Sequence, residues 1–307
     1  MATYVLHRLL ILPVVVFGVV TVVFVVMRVL PADVARLVAG IDASEEQVES
    51  VREKLNLDSP LPQQYVSYVA EVSTGDLGKS IYSNRPVAPD LMGKFRNTVL
   101  LALVSVGCSV LFGITLGTVA AAKFHSIWDN ATSVIAAGSL AMPRFWLGLV
   151  LIFVFAEKLR LLPALGNTDP KHMILPVATM AIPSTAVIAR MMRATMLDVL
   201  HEDYIRTATA KGLSGRIVIF RHALKPSMLP VITIIGLQLG FMLGGSVVVE
   251  TVFSYPGIGS TIVRAIQTRD FPVVQAGVIL VATTFALINL AVDVSYAWFD
   301  PRIRYSN

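Results

Sequence analysis

Six long apolar runs punctuate the chain, at residues 9–27, 97–122, 131–156, 173–189, 227–249 and 271–292. A bilayer core about 30 Å thick asks for roughly 20 predominantly apolar residues per α-helix, and each run meets or approaches that length. The pattern predicts six membrane-crossing helices, the third interrupted by Arg144. Six is even, so both chain ends fall on one side. The first run follows His7 and Arg8 in the manner of a signal sequence. It is too long for one and no small-residue cleavage site follows it cleanly, which reads as a retained anchor.

Two polar stretches lie between these runs. In the first, residues 31–97, Ser44 is followed by Glu45, Glu46 and Gln47, a helix start of the capping type. Val48, Val51 and Leu55 give that helix a short apolar edge before Asp58, Ser59 and Pro60 stop it. Residues 65–72 read as a second helix along the membrane surface. The second stretch, residues 198–230, combines a basic excess with helical signals. Leu197, Leu200, Tyr204 and Ala208 recur at spacings of three and four, predicting an apolar edge on one short helix. Asp198 and Glu202 sit early, Lys211 late, and Gly212 follows as a C-terminal cap, an order that suits the helix dipole. Ser214 is placed to cap a further helix. Periodicity alone leaves two readings open: a loop lying on lipid headgroups, or a handle for another protein.

Composition agrees with a lipid environment. Of 307 residues, 55% are hydrophobic and 15% charged, where a soluble domain carries about 25% charge; mean hydropathy is +0.72. The net charge of +5 needs no nucleic acid, because basic residues at membrane ends produce it. Lys and Arg in short loops orient the chain. One side holds Arg8, Lys123, seven basic residues from Arg190 to Lys225, and Arg302 and Arg304; the other holds Lys158, Arg160, Lys171, Arg264 and Arg269. The richer side is inside, which places both termini in the cytoplasm and residues 31–97 outside. That outer segment carries seven basic and ten acidic residues, and long translocated loops escape the rule. No linker or repeat divides the chain, so residues 1–307 read as a single membrane domain.

Enzymatic chemistry finds no candidates. The GDLGKS stretch at Gly75 to Ser80 mimics a phosphate loop, but Ser73 stands where the first glycine belongs and no buried strand precedes it. His7, His125, His172, His201 and His222 are scattered over loops, and the single cysteine, Cys108, lies inside an apolar run as a small hydrophobe. No metal or nucleotide site is expected in this chain.

Five stretches in order, ARLVAGIDASEEQVESVREKLNLDSPLPQQY, GDLGKSIYSNRPV, PRFWLGLVLIFVFAEKLRLLPALG, YIRTATAKGLS with RHALKPSMLP, and ETVFSYPGIGSTIVRAIQTRDFPVVQ, resemble the successive signatures of binding-protein-dependent ABC importer permeases of the dipeptide/oligopeptide/nickel group. The resemblance covers nearly the whole chain, and the long first outer loop is similar to that of B-type subunits. It implies an all-α, type I importer permease that pairs with a second, related permease, two cytosolic ATPase subunits and an extracytoplasmic solute-binding protein. ATP and Mg would be bound by the ATPase partners, with no cofactor here. Residues 193–228 would form the cytosolic loop of the EAA type, with Glu202, Asp203, Tyr204, Ile205, Arg206, Thr207, Ala208, Ala210, Lys211, Gly212 and Leu213 as the ATPase-coupling helix and its end. Arg206, Thr207 and Ala208 occupy the EAA triplet, with Gly212 as the glycine that follows it. One departure is visible: Leu224-Lys225 stands where the older pattern has Leu-Pro, and Pro226 comes one place late.

The resemblance also gives weight to polar positions inside the runs. A charged Arg144 at mid-span costs about 2.5–3.5 kcal/mol on insertion scales and faces a bundle interior or water. Two roles stay open for it: lining the translocation path, where it would attract a peptide carboxylate, or pairing with a partner subunit or carbonyls. Glu250 and Asp293 read as interfacial or paired. Gly113/Gly117, Gly236/Gly240 and Gly240/Gly244 read as points of close helix approach, and Ser254 to Gly259 as an outer loop. The implied cargo is short peptides, with nickel complexes or glutathione-like solutes as alternatives. A self-sufficient ion-coupled carrier would need midplane carboxylates or two related halves, and a membrane enzyme or receptor would need clustered titratable groups; neither pattern is present.

Overall fold

The computed structural model describes residues 2–29, 34–40, 43–54 and 57–299. Among these no β-strand forms; one isolated bridge joins Lys79 to Pro86. The helices are α1 (Ala2–Val29), α2 (Val34–Ala39), α3 (Glu45–Lys54), α4 (Leu61–Ser73), α5 (Val87–Ala122), α6 (Ile127–Ala141), α7 (Arg144–Leu151), α8 (Ile174–Leu200), α9 (Asp203–Ala210), α10 (Gly215–Ile217), α11 (Leu224–Val252), α12 (Ile258–Gln267) and α13 (Phe271–Phe299). Among the described residues five helices are long and apolar enough to cross a membrane, and a sixth crossing arises if α6 and α7 count as one.

The third apolar run is not a straight helix, and here the structure corrects the sequence pattern. Pro143 disfavours helical backbone at the residue before it, and Met142 is extended at φ −85°, ψ 125°. The two halves diverge by 107°. The second half, α7, continues as π-type turns over Ile152–Lys158. The fourth run extends well past residue 189, to Leu200, because Arg190 and Arg193 continue the helix.

The chain forms two compact units: Val99–Tyr255 with the chain from Ile288, and Ala2–Thr98 with Pro256–Leu287. In the first, α5 and α8 approach closely. A methyl group at Gly113 would lie 2.7 Å from the Ile188 side chain, and one at Gly117 would lie 2.5 Å from the Ala189 carbonyl oxygen. Gly236 meets Val292, whereas Gly244 has nothing within 4 Å and is not an approach point; its neighbour Gly245 is one instead. Two clusters fill the interior, one around Leu101, Met180, Met242 and Phe253, the other around Met192, Met196, Val218 and Val231.

In the second unit the expected capping box is present. The Ser44 N–H donates to Gln47 Oε1 at 2.9 Å and the Gln47 N–H to Ser44 Oγ at 3.3 Å. Val48 is buried on that helix; Leu55 lies outside the described residues, as do Arg302, Arg304 and the side chains of Arg8 and Asp293. The GDLGKS stretch is a turn scaffold. Gly75 and Gly78 take positive φ of 82° and 76°, and Ser80 Oγ donates to buried Asp270, which also accepts the Ile81 N–H at 3.1 Å.

Candidate functional site

α8 ends at Leu200, a turn follows at His201 and Glu202, and α9 begins at Asp203. The apolar edge expected on one helix is therefore split: Leu197 and Leu200 belong to α8, Tyr204 and Ala208 to α9. Within α9 the buried residues are Ile205 and Ala208, which join the cluster of Met192, Met196 and Val218. Burial at positions three apart fixes the helix by one narrow stripe. Tyr204, Arg206, Thr207, Ala210 and Lys211 are left exposed.

Glu202 stands at the N-cap in extended conformation but accepts no capping hydrogen bond from its side chain. Asp203 lies in the first turn, where a carboxylate suits the dipole, and sits 3.6 Å from Arg206. Those two side chains are 97% and 73% exposed, so the pair contributes little to stability and remains free to exchange partners. Burial, then the neighbouring Glu202 carboxylate, push the Tyr204 phenol above its ordinary value. It stays protonated at neutral pH, an uncharged group on a charged face. The C-terminal end is a Schellman motif: Gly212 N–H donates to Thr209 O at 3.0 Å, Leu213 N–H to Ala208 O at 3.4 Å, and Gly212 has φ +79°. Half-buried Leu213 packs back on the same cluster.

Beyond Gly212, Ser214 is an extended N-cap without a side-chain bond, and the departure at Leu224-Lys225 coincides with π-type turns over Val218–Ala223 leading into α11. Pro226 follows directly on the π-type turns, so its missing N–H falls where the hydrogen-bond ladder already departs from α geometry.

Arg144 is the first residue of α7. Its guanidinium lies against Gly245 of α11, in the space a side chain there would occupy. No carboxylate pairs with it among the described residues. Glu250, on the same helix, is fully buried. A cavity of about 720 Å³ lies elsewhere in this unit, lined by Val104, Cys108, Phe112, Ile135, Val177 and Ile182 among others, and its walls carry no charged side chain. A polar solute would find no counter-charge there.

Sequence reasoning missed one constellation. Asp129, buried in the first turn of α6, accepts both Arg193 Nε and Arg193 Nη2, the latter at 2.9 Å, and the His125 N–H at 3.1 Å. The only available signal was that each charge sits at the end of an apolar run.

The chain matches two family descriptions. Residues 1–102 fit the N-terminal region of binding-protein-dependent transport system membrane components, and residues 113–305 fit the binding-protein-dependent transport system inner membrane component. The chain belongs to that family. It is 44% identical over 305 residues to the glutathione transport system permease protein GsiC of Escherichia coli strain K12, covering 99% of this chain and 100% of the relative. The GsiC protein of Shigella dysenteriae serotype 1 gives the same figures. Among solved structures, the inward-facing MetNI methionine ABC transporter aligns with a TM-score of 0.57 at 17% identity, over 68% of this chain and 96% of that one. An amino acid ABC transporter with histidines aligns at 0.52 and 16%, over 70% and 94%. At such identities these two establish the fold alone.

The permease is therefore a multi-pass helical membrane subunit of an ABC importer, as the resemblance implied. Its relatives are non-catalytic, with ATPase activity in separate subunits. Importers of this family combine permeases, ATPases and a binding protein.

Proposed function

We propose that this permease forms, with a second related permease, the path by which short peptides or peptide-like solutes enter the cell. Two cytosolic ATPases, which bind ATP and Mg, drive it, and an extracytoplasmic receptor delivers the solute. Both termini then lie in the cytoplasm, residues 31–97 outside, and α9 is the coupling helix. The observation that carries this reading is the division of α9 into a buried stripe, Ile205 and Ala208, and an exposed polar face, Tyr204, Arg206, Thr207, Ala210 and Lys211. A helix built to lie on lipid would expose its apolar stripe instead. The excess of Lys and Arg on the α9 side supports the same orientation.

Ala208, which the resemblance counts among the coupling residues, faces the permease interior, so Thr207 and Ala210 are the small residues offered outward. With Cys108 replaced by Ala, Thr207→Cys is expected to cross-link to the ATPase subunit in membranes and to resist labelling from outside intact cells. Labelling from outside, or a cross-linking map that never includes the ATPase, would overturn the assignment.

The relatives named for glutathione transport favour a small anionic peptide over nickel complexes, and Arg144 is the intramembrane cation available to meet its carboxylate. Two opposite charges about 4 Å apart at an effective dielectric near 20 attract by about 4 kcal/mol, part of which is offset by desolvation. Arg144→Ser is expected to lower uptake of anionic peptides about tenfold, equivalent to about 1.4 kcal/mol, and to leave neutral dipeptides within twofold. An equal loss for both solutes would assign Arg144 to structure.

A further inference from the structure

A coupling helix is useful only if its displacement reaches the spans, and the α5–α6 turn is held to the α8 shaft at two places by one side chain. Arg193 lies on α8 about two turns before its end at Leu200. Its guanidinium grips Asp129 through two nitrogens, and its Cζ stands 5.4 Å from the centre of the Phe124 ring. Asp129 is 3% exposed and Arg193 27%, so the carboxylate is buried and the pair is less open to the water and salt that weaken surface bridges than an exposed pair is. A two-pronged guanidinium–carboxylate contact also fixes orientation, which a point charge does not. The turn it holds is a shaped one: His125 is left-handed at φ +59° and its N–H is bonded to the same carboxylate.

The same stretch of α8 is tied on its other side. Thr195 Oγ1 donates to the Ser227 carbonyl at 3.1 Å, where α11 begins, and Met192 and Met196 share one buried cluster with Ile205 and Ala208 of α9 and with Val218 and Ala223 of the π-type turns. From α9 the route runs through the turns Val218–Ala223, which touch both α9 and α8, to the stretch of α8 that carries Arg193, then Asp129, then along α6 to the 107° bend and Arg144. Close-packed elements of this kind switch position rather than deform continuously.

We propose that the Arg193–Asp129 pair is the transmission contact of this permease, positioning α6 and hence the bend at Met142-Pro143 according to the placement of α9. The proposal rests on α9 being the coupling helix. Spatial continuity alone does not establish coupling, so the test measures it.

The assembled importer in proteoliposomes, with its ATPases and receptor, would be compared as wild type, Asp129→Asn, Arg193→Gln, the double variant and Arg193→Lys. Asp129→Asn and Arg193→Gln are each expected to lower uptake per ATP hydrolysed about tenfold, while basal ATPase and the Thr207→Cys cross-link to the ATPase persist. The double variant is expected to lose no more than the worse single one, and Arg193→Lys, which keeps charge but not the two-pronged grip, to fall between. Multiplicative losses in the double variant, or unchanged uptake per ATP in the single ones, would overturn the proposal. So would failure of all four variants to assemble, which would make the pair a folding contact. Absence of the cross-link from Thr207→Cys in the importer with Asp129 and Arg193 intact would instead sink the coupling reading of α9.

Discussion

Gly212→Asp is expected to abolish solute uptake while the permease stays in the membrane in normal amount. Gly212 is left-handed at φ +79° with nothing within 4 Å of an added Cβ, so the substitution meets no clash and its folding penalty is conformational. An L-residue in that region costs about 1–2 kcal/mol, least for Asn and Asp. A carboxylate at the negative end of α9 adds roughly 0.3–1 kcal/mol. Both are small beside the 5–15 kcal/mol typical of a folded domain. The functional penalty is of another kind. The Schellman bonds from Gly212 and Leu213 hold the last turn of α9, and the new anion stands beside exposed Lys211 on the face proposed to meet the ATPase. Uptake should fall more than 100-fold and solute-stimulated ATPase should vanish, with immunoblots of membranes unchanged. Gly212→Asn, which tolerates the same backbone without charge, should keep at least a third of wild-type uptake. Normal stimulation in Gly212→Asp would remove α9 from the coupling role.

What could be read from the sequence follows from the range of the forces involved. Apolar runs and caps are local, and the five long helices, the Ser44–Gln47 box and the Gly212 ending all appear where short-range patterning put them. The break between α8 and α9 was masked because Leu197, Leu200, Tyr204 and Ala208 stay in helical phase across it. Pro143 signalled a local disturbance, but its 107° consequence depends on what α7 packs against: Leu147 and Gly148 are buried, with Gly148 facing Phe253 and Thr179. Glycine spacing on α11 found Gly236, which meets Val292, but failed at Gly244, since one residue rotates the contact by about 100° and Gly245, not Gly244, faces Arg144. The Asp129–Arg193 pair joins residues 64 apart, and no periodicity encodes it.

Gly117→Leu is expected to cause the largest loss of assembled protein of any substitution in α5, because hydrocarbon gives helices no hydrophobic reason to associate and close packing carries the burden. The first added carbon would sit 2.5 Å from a backbone oxygen and 2.7 Å from Met192 Cβ, well inside the roughly 3.5–4.0 Å of a comfortable carbon contact. A flexible neighbour could yield, but backbone cannot, and α8 is pinned here by Arg193 on Asp129 and by Thr195 on the Ser227 carbonyl. Relief therefore requires α5 and α8 to separate by an ångström or more, opening contacts around Ile188 and Met192, both fully buried. Overpacking alone costs about 1–3 kcal/mol, and the lost contacts add to it. Membrane content should drop at least fivefold, and the apparent melting temperature in detergent should fall by more than for any other α5 glycine. Gly107 supplies the control: it lies on the same helix, is exposed and has nothing within 4 Å, so Gly107→Leu should behave as wild type. Equal stability of Gly117→Leu and Gly107→Leu would mean that α5 and α8 do not meet as closely as this structure places them.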